Sequence, residues 1–343
     1  MTSNLFYELN LPDLQAWLKI RKQPGYRAKQ VFEAAYQHLA HTFEDMTALP
    51  KDLREALAAE YEIGPAEVES VSRNEDTIKL LVKLRDGGMV ECVRIHMEGS
   101  YTACISSQVG CAIKCAFCAT GRIKECRSLT VGEIVRQVIT VNDLGERVRN
   151  VVFMGMGEPF HNYANVVEAV RRLISPEAFA MSPRRITIST SGIVPAIHRY
   201  AEEGLNTELA VSLNASTDDQ RRMLMPGVAR WTLTQLLEAC AHFSEAHKGQ
   251  PVTFAYVLLD GVNDDFDDAE RLGKLLKHQP HHINLIPFNE VANSRFHAPH
   301  KVRVRAFLEA CRRHRLNVSV RHSKGGDIDA ACGQLRAKQE EER

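Results

Sequence analysis

Apolar positions recur along this chain with two different periods, and the change of period divides it. Up to about residue 60 the period is helical. Leu14, Trp17 and Leu18 share one helix face, and Val31, Ala34, Ala35 and Leu39 share another. Pro24-Gly25 separates these two runs, and Pro50 predicts a third helix with proline in its first turn. A strand-rich stretch follows. Thr77 to Leu84 and Met89 to Ile95 flank Asp86-Gly87-Gly88, which predicts a β-hairpin. From about residue 100 short apolar runs alternate with amphipathic ones. Strands are predicted at Val151 to Met154, Ile186 to Ile188, Leu209 to Val211, Val252 to Leu259, Ile283 to Ile286 and Val318 to Val320. Helical runs between them include Val131 to Leu144, Val166 to Ile174, Leu233 to Phe243 and Asp265 to Leu276. Repeated βα units predict an α/β fold, a parallel sheet with helices outside. Six or seven units suit an open or partial barrel better than a closed eight-stranded one.

The residues that end the predicted strands are polar. Gly155-Met156-Gly157-Glu158 follows the first, Ser189-Thr190-Ser191-Gly192 the second, Ser212-Leu213-Asn214 the third, and Asn289 stands just past Ile286. Parallel barrels work at the C-terminal ends of their strands. Glycine admits close backbone approach, a carboxylate accepts from an ammonium, and Ser or Asn binds carboxylate, ribose or adenine edges. Gly155-Met156-Gly157 is not a dinucleotide fingerprint, because Phe160 stands at the third glycine position and Pro159 interrupts the turn.

The 343 residues are 44% hydrophobic and 25% charged, which fits a large α/β domain with a smaller companion. No apolar run has the length of a membrane span and the start does not resemble a signal peptide, so a cytoplasmic protein is expected. Net charge is zero, so any affinity for nucleic acid must come from local patches. Lys19, Arg21, Lys22, Arg27 and Lys29 form one candidate, and Arg312, Arg313, Arg315, Arg321 and Lys324 another; ordinary solvated faces explain each equally well. Nine unevenly spaced cysteines suit metal or redox work in a reducing compartment better than a disulfide framework.

Three of those cysteines, Cys111, Cys115 and Cys118, form a C-x3-C-x2-C triplet. One tight loop can thereby bring three thiolates to one inorganic cluster. A [4Fe–4S] cluster usually takes four cysteines, so three leave one iron open to a small ligand. The alternative is structural zinc with Cys126 as fourth ligand, although zinc sites commonly use two short pairs set well apart.

The triplet resembles that of the radical S-adenosylmethionine (SAM) superfamily. Cys104 to Cys111, Phe153 to Pro159, Ile186 to Gly192, Ile283 to Asn289 and Asp327 to Leu335 together resemble the RlmN/Cfr family, nearer its RlmN branch. The resemblance runs over nearly the whole chain. It implies a partial (β/α)6-type radical SAM barrel with a small N-terminal helical domain and a β-hairpin extension. The implied organisation is an RNA-binding accessory domain at 1–62, a β-rich extension carrying Glu91 at 63–99, the barrel at 100–322 and a tail carrying Cys332 at 323–343.

The family implies methylation of C2 of an adenosine in the peptidyl-transferase region of 23S rRNA, and of the adenosine beside the tRNA anticodon. The Cfr-like alternative is C8 of the same rRNA adenosine; a more distant one is a zinc-stabilised RNA-binding module without catalysis. The implied cofactors are one [4Fe–4S] cluster per chain on Cys111, Cys115 and Cys118, and SAM bound by Gly157, Glu158, Ser189, Ser212, Leu213, Asn214 and Asn289. One SAM methylates Cys332. A second yields a radical that takes hydrogen from the methylcysteine, the carbon adds to adenine, and Cys104 attacks Cys332 to release product and leave a disulfide. Glu91, thirteen residues before Cys104, stands where the family places proton abstraction. A monomer, RNA substrates, no membrane and an external one-electron donor such as flavodoxin or ferredoxin complete the expectation. Cys92, Cys126, Cys240 and Cys311 match no family role. The chain departs from the usual family pattern at Asn214, where His is usual, at Gly326, where Asp is usual, and over 121–126 after the triplet.

Overall fold

The computed structural model describes residues 4–321 and 323–336. Its centre is one ten-stranded mixed sheet whose spatial order follows the chain. The strands are β1 (Glu67–Arg73), β2 (Thr77–Lys83), β3 (Met89–Met97), β4 (Ser100–Cys104), β5 (Val148–Phe153), β6 (Ile186–Thr190), β7 (Glu208–Ser212), β8 (Val252–Leu258), β9 (His281–Pro287) and β10 (Val318–Val320). β1 to β4 form an antiparallel meander. β4 also pairs parallel with β5, and each strand from β5 to β10 pairs parallel with the next. β1 and β10 are not paired with each other, so the barrel is open.

The expected hairpin is β2–β3, with Gly87 at φ 86° in its turn and Asp86 Oδ1 accepting from the Gly88 N–H at 3.0 Å. It belongs to a larger meander than expected. β1 reads Glu-Val-Glu-Ser-Val-Ser-Arg and lies largely exposed at the sheet edge, so it leaves no apolar run to detect.

The parallel strands alternate in burial because successive side chains point to opposite faces. Val151, Phe153, Ile186, Ile188, Leu209, Val211, Phe254, Tyr256, Ile283 and Leu285 are fully buried. Their neighbours Ser189, Ala210, Ser212, Thr253, Ala255 and Asn284 line the lumen instead. Helices Val131–Asn142, Tyr163–Ile174, Leu233–Ala246 and Phe266–Leu276 follow the expected runs. Thr130, Thr232 and Asp265 start three of them with capping boxes, which satisfy otherwise orphaned N–H groups.

At the N-terminus, helices Leu11–Ile20, Tyr26–Phe32 and Lys51–Glu60 surround an aromatic cluster centred on Phe6. Pro50 is the cap preceding the third helix rather than a first-turn residue. This layer is seated on the barrel: Arg172 donates to the Tyr36 hydroxyl and the Leu9 carbonyl, and Arg136 reaches Glu62, Gly64 and Pro65. The hydrophobic core runs without interruption from this layer into the barrel. No helix among the described residues is long and apolar enough to cross a membrane. The end of the charged tail, 337–343, lies outside the described residues.

Candidate active site

A cleft of about 1110 Å³ opens at the C-terminal ends of the parallel strands. Cys111, Cys115, Cys118, Gly157, Glu158, Ser189, Ser212, Asn214, Asn289 and Cys332 all line it. The cysteine loop is closed at its stem by a two-residue pairing of Gln108–Val109 with Arg127–Ser128. Gly110, at φ 66°, lies where a Cβ would stand 2.0 Å from the Glu125 carbonyl oxygen, so the stem requires glycine. Backbone bonds from Ala116 N–H to the Leu224 carbonyl and from Gly227 N–H to the Ile113 carbonyl fasten the loop to the helix Asp218–Leu224 and the turn after it.

Three thiols on one held loop facing a cleft fit a cluster with an open coordination position. No three His, Cys, Asp or Glu side chains among the described residues converge tightly enough for a single metal ion.

Glu158 is buried at 1% exposure. One carboxylate oxygen accepts from the Phe160 N–H at 3.0 Å and the Thr190 hydroxyl at 2.7 Å, the other from the Ser191 N–H at 2.6 Å. Such charge-assisted bonds fix the carboxylate in place. Gly157 has φ 97°, and a Cβ there would stand 2.6 Å from Gln108 Cβ. Beneath the strand ends, Arg221 is buried with no ion-paired carboxylate among the described residues. Its guanidinium donates to the carbonyls of Ser191, Ser212 and Leu213. Burial draws its pKa down to about 10.

Two of the residues expected to bind SAM also serve the fold. Leu213 is fully buried in the core. Strand alternation sends its neighbour Ser212 to the lumen and Leu213 away from it. Asn214, in the left-handed region at φ 55°, uses its side-chain oxygen to accept from the Val257 N–H at 2.8 Å and thereby joins adjacent strand ends. Asparagine tolerates that conformation better than most residues.

Cys332 rides on a strap that runs from β10 across the mouth of the cleft. Asn289 donates to the Cys332 carbonyl at 3.1 Å and to Ser323 Oγ at 2.9 Å. The Gly333 carbonyl accepts from the Ala119 N–H at 2.8 Å and the Leu335 carbonyl from the Thr120 hydroxyl at 2.6 Å, immediately after Cys118. A smaller chamber of about 600 Å³ adjoins the cleft. Cys104 and Cys332 both line it, with Met154 and Arg321 at the junction of the two spaces. All nine cysteines are free thiols. Burial pushes the Cys104 thiol up to about 12, the adjacent Cys332 adds to the rise, and the Arg321 guanidinium opposes it.

Glu91 lines neither space. It lies at 2% exposure beneath the strap. Its carboxylate pairs with Lys79 Nζ at 3.2 Å and accepts from the Arg336 N–H at 2.7 Å. Arg321, read with its neighbours as a possible surface patch, turns into the cleft instead. Lys324 pairs with Asp76 at 2.9 Å, and Arg21 is held by Glu60 and stacked on Trp17. Sequence reasoning missed Arg321 in the cleft, Thr190 and Ser191 as holders of Glu158, and Lys79. The Ser-Thr-Ser-Gly strand end signalled the second and third.

Two family models match the chain: the radical SAM superfamily over residues 105–273, and the ribosomal RNA large subunit methyltransferase N-terminal domain over residues 3–63. The dual-specificity RNA methyltransferase RlmN of Pelobacter propionicus is 45% identical over 331 residues, covering 96% of this chain and 95% of that one. A probable dual-specificity RNA methyltransferase RlmN from Geobacillus kaustophilus is 41% identical, covering 98% and 93%. The crystal structure of a radical SAM methyltransferase from Sphaerobacter thermophilus superposes with a TM-score of 0.94 at 42% identity, covering 98% of this chain and all of that one.

Proposed function

Because the chain belongs to the RlmN family of radical SAM RNA methyltransferases, we propose that it methylates C2 of an adenosine in the peptidyl-transferase region of 23S rRNA and the adenosine beside the tRNA anticodon. One observation carries this reading: three thiols of one loop, the polar strand ends and Cys332 share a single cleft, with Cys104 in the adjoining chamber.

Cys111, Cys115 and Cys118 would hold one [4Fe–4S] cluster, which when bound supplies the electron that cleaves SAM to a carbon radical. Gly157, Ser189 and Ser212 offer backbone and hydroxyl groups to SAM, and Glu158 presents its fixed carboxylate. Leu213 and Asn214 contribute by shaping the strand ends. Asn289 orients the carbonyl of Cys332.

Cys332 accepts methyl from one SAM by displacement, its sulfur forming the new bond as the sulfonium bond breaks. After transfer of the carbon to adenine, Cys104 sulfur attacks Cys332 sulfur. The electron pair of the carbon–sulfur bond leaves with the carbon, which takes up a proton and becomes the methyl group of the RNA, and a disulfide remains, which an external reductant must return to two thiols. Glu91 is the proposed acceptor of the ring proton; reaching the cleft requires the strap to move off it. The N-terminal layer acts as an RNA-binding accessory domain, with Tyr26 exposed beside Arg27 as a stacking and phosphate contact. The protein works as a cytoplasmic monomer and draws single electrons from a flavodoxin or ferredoxin.

The test is to incubate anaerobically reconstituted protein with 23S rRNA fragments and tRNA, digest to nucleosides, and separate the methyladenosines. 2-Methyladenosine is expected. 8-Methyladenosine would assign the Cfr-like alternative, and zinc in place of iron with no methylated base would reject catalysis.

A further inference from the structure

The strand pair β2–β3 buries a charge pair where a sheet interior ordinarily holds apolar side chains. Lys79 and Glu91 are 8% and 2% exposed, on the same sheet face as the buried Leu81 and Val93. Removing two charges from water costs several kcal/mol, which good geometry and further hydrogen bonds must offset. The pair is not needed to join strands that already share a full ladder of backbone partners.

The other bonds of the pair indicate its use. Lys79 Nζ also donates to the Asp329 carbonyl at 3.0 Å, and Glu91 Oε2 accepts from the Arg336 N–H at 2.7 Å. Asp329 lies three residues before Cys332 and Arg336 four after it. Asp329 has φ 52°, a conformation a non-glycine residue keeps only when its surroundings hold it.

We infer that Lys79 is a positioning residue for Cys332. One buried ion pair clips the strap at both ends and sets where the thiol stands between the cleft and the chamber of Cys104. This rests on the methyl-carrier role proposed for Cys332. The clip is also switchable. Once the strap has moved off and Glu91 has taken the ring proton, the pair is net positive rather than neutral, Lys79 has lost its counter-charge, and neither attachment re-forms at full strength. Of the strap's other charged side chains, Lys324 is paired with Asp76, Asp327 is hydrogen-bonded by Asn74, and Arg321 lines the chamber beside Cys104. Proton acceptance thereby keeps the strap open and Cys332 free at the stage when it must meet Cys104.

The experiment is hydrogen exchange read by mass spectrometry on the full-length, cluster-loaded protein, without RNA or SAM, alongside the alkylation rate of Cys332. Lys79→Met is expected to speed exchange over 329–336 by at least about tenfold, equivalent to ~1.4 kcal/mol of local stability. Cys332 alkylation should rise in parallel while the barrel strands exchange as before. Lys79→Arg should restore protection, and Glu91→Gln should loosen the same segment. Wild-type exchange over 329–336 in Lys79→Met overturns the inference. Should that variant not fold, Arg336→Pro removes the N–H given to Glu91, while Arg336→Ala controls for loss of the side chain; the proline variant must speed exchange over 333–335 beyond the alanine variant, and equal exchange in the two overturns the inference. The methyl-carrier role is scored separately by the mass of the wild-type Cys332 peptide after SAM treatment. A peptide that never gains methyl overturns that role and leaves the clip standing as a loop anchor.

Discussion

Asn289 spends both amide protons on the strap, one on the carbonyl of Cys332 at 3.1 Å and one on Ser323 Oγ at 2.9 Å. It orients the residue proposed to carry the methyl group, from the end of the strand that also lines the cleft. Asn289→Asp keeps the shape but sets a carboxylate oxygen against the Cys332 carbonyl. Losing a donor and gaining repulsion at a part-buried site costs on the order of 1–3 kcal/mol. Methylation of Cys332 in a single turnover should therefore slow by roughly tenfold to a hundredfold, while iron content stays at the wild-type level. A wild-type rate would show that the strap does not depend on this contact.

Glu158 is expected to control SAM affinity without controlling the cluster. Its carboxylate receives two backbone N–H groups and one hydroxyl. Glu158→Gln turns an amide NH2 toward at least one of those donors and removes the negative charge. The anticipated result is SAM binding weaker by at least about tenfold, since bonds to a charged group are worth ~1.5–3 kcal/mol each, with the iron–sulfur absorption retained. Isothermal calorimetry on the anaerobic protein measures the first and the visible spectrum the second. Equal SAM affinity in the two proteins would exclude Glu158 from the binding site.

The barrel was legible because each parallel strand needs an apolar face against the helices; Ile186-Thr-Ile188 and Leu209-Ala-Val211 show it even in short runs. β1 was not, since its edge position leaves Glu67, Glu69 and Arg73 in water. The short helix Asp218–Leu224 presents too few turns for a period to show. The triplet and the strand ends could be read because their residues lie close together in sequence. The strap contacts could not. Thr120 and Leu335 are 215 positions apart and meet only when the chain closes over the cleft. Lys79, within Thr-Ile-Lys-Leu-Leu-Val-Lys, has the local pattern of a solvent-facing lysine. The strap covers it, and nothing in its own neighbourhood announces that.

Buried thiols should make the fold sensitive to alkali. Burial raises Cys240 from its ordinary 9.0 to about 12, with Arg221 opposing, and raises Cys311 to about 12 as well. Between those values the unfolded chain has lost protons that the folded chain keeps. Stability is therefore full below pH about 9 and falls as pH rises, by up to ~1.4 kcal/mol per pH unit for each such thiol. Urea midpoints measured anaerobically from pH 7 to 10.5 should hold steady and then drop. Cys240→Ala should lower the midpoint at every pH through lost packing, yet flatten the alkaline slope. An identical slope in the variant would show that Cys240 does not contribute to it.

Cys104 and Cys332 should fail in different ways when each is removed. The two line one chamber, yet both are free thiols and the strap holds Cys332 on the cleft side as well. A disulfide needs their Cα atoms within roughly 4.4–6.8 Å and the sulfurs aligned, so the pair must close during turnover. Cys332→Ala offers no sulfur to receive methyl, and RNA purified with it should be unmodified and unattached. Cys104→Ala leaves the methyl carrier, the cluster loop and the SAM groups intact, so carbon transfer to adenine can proceed. What it lacks is the thiol that breaks the carbon–sulfur bond to Cys332. The expected outcome is protein covalently bound to RNA, seen as a band of reduced mobility on a denaturing gel that ribonuclease collapses to the protein position. The double variant should trap nothing, because the adduct forms on Cys332. Normal turnover by Cys104→Ala, with no trapped RNA, would show that another group releases the product and that the shared chamber has a different use.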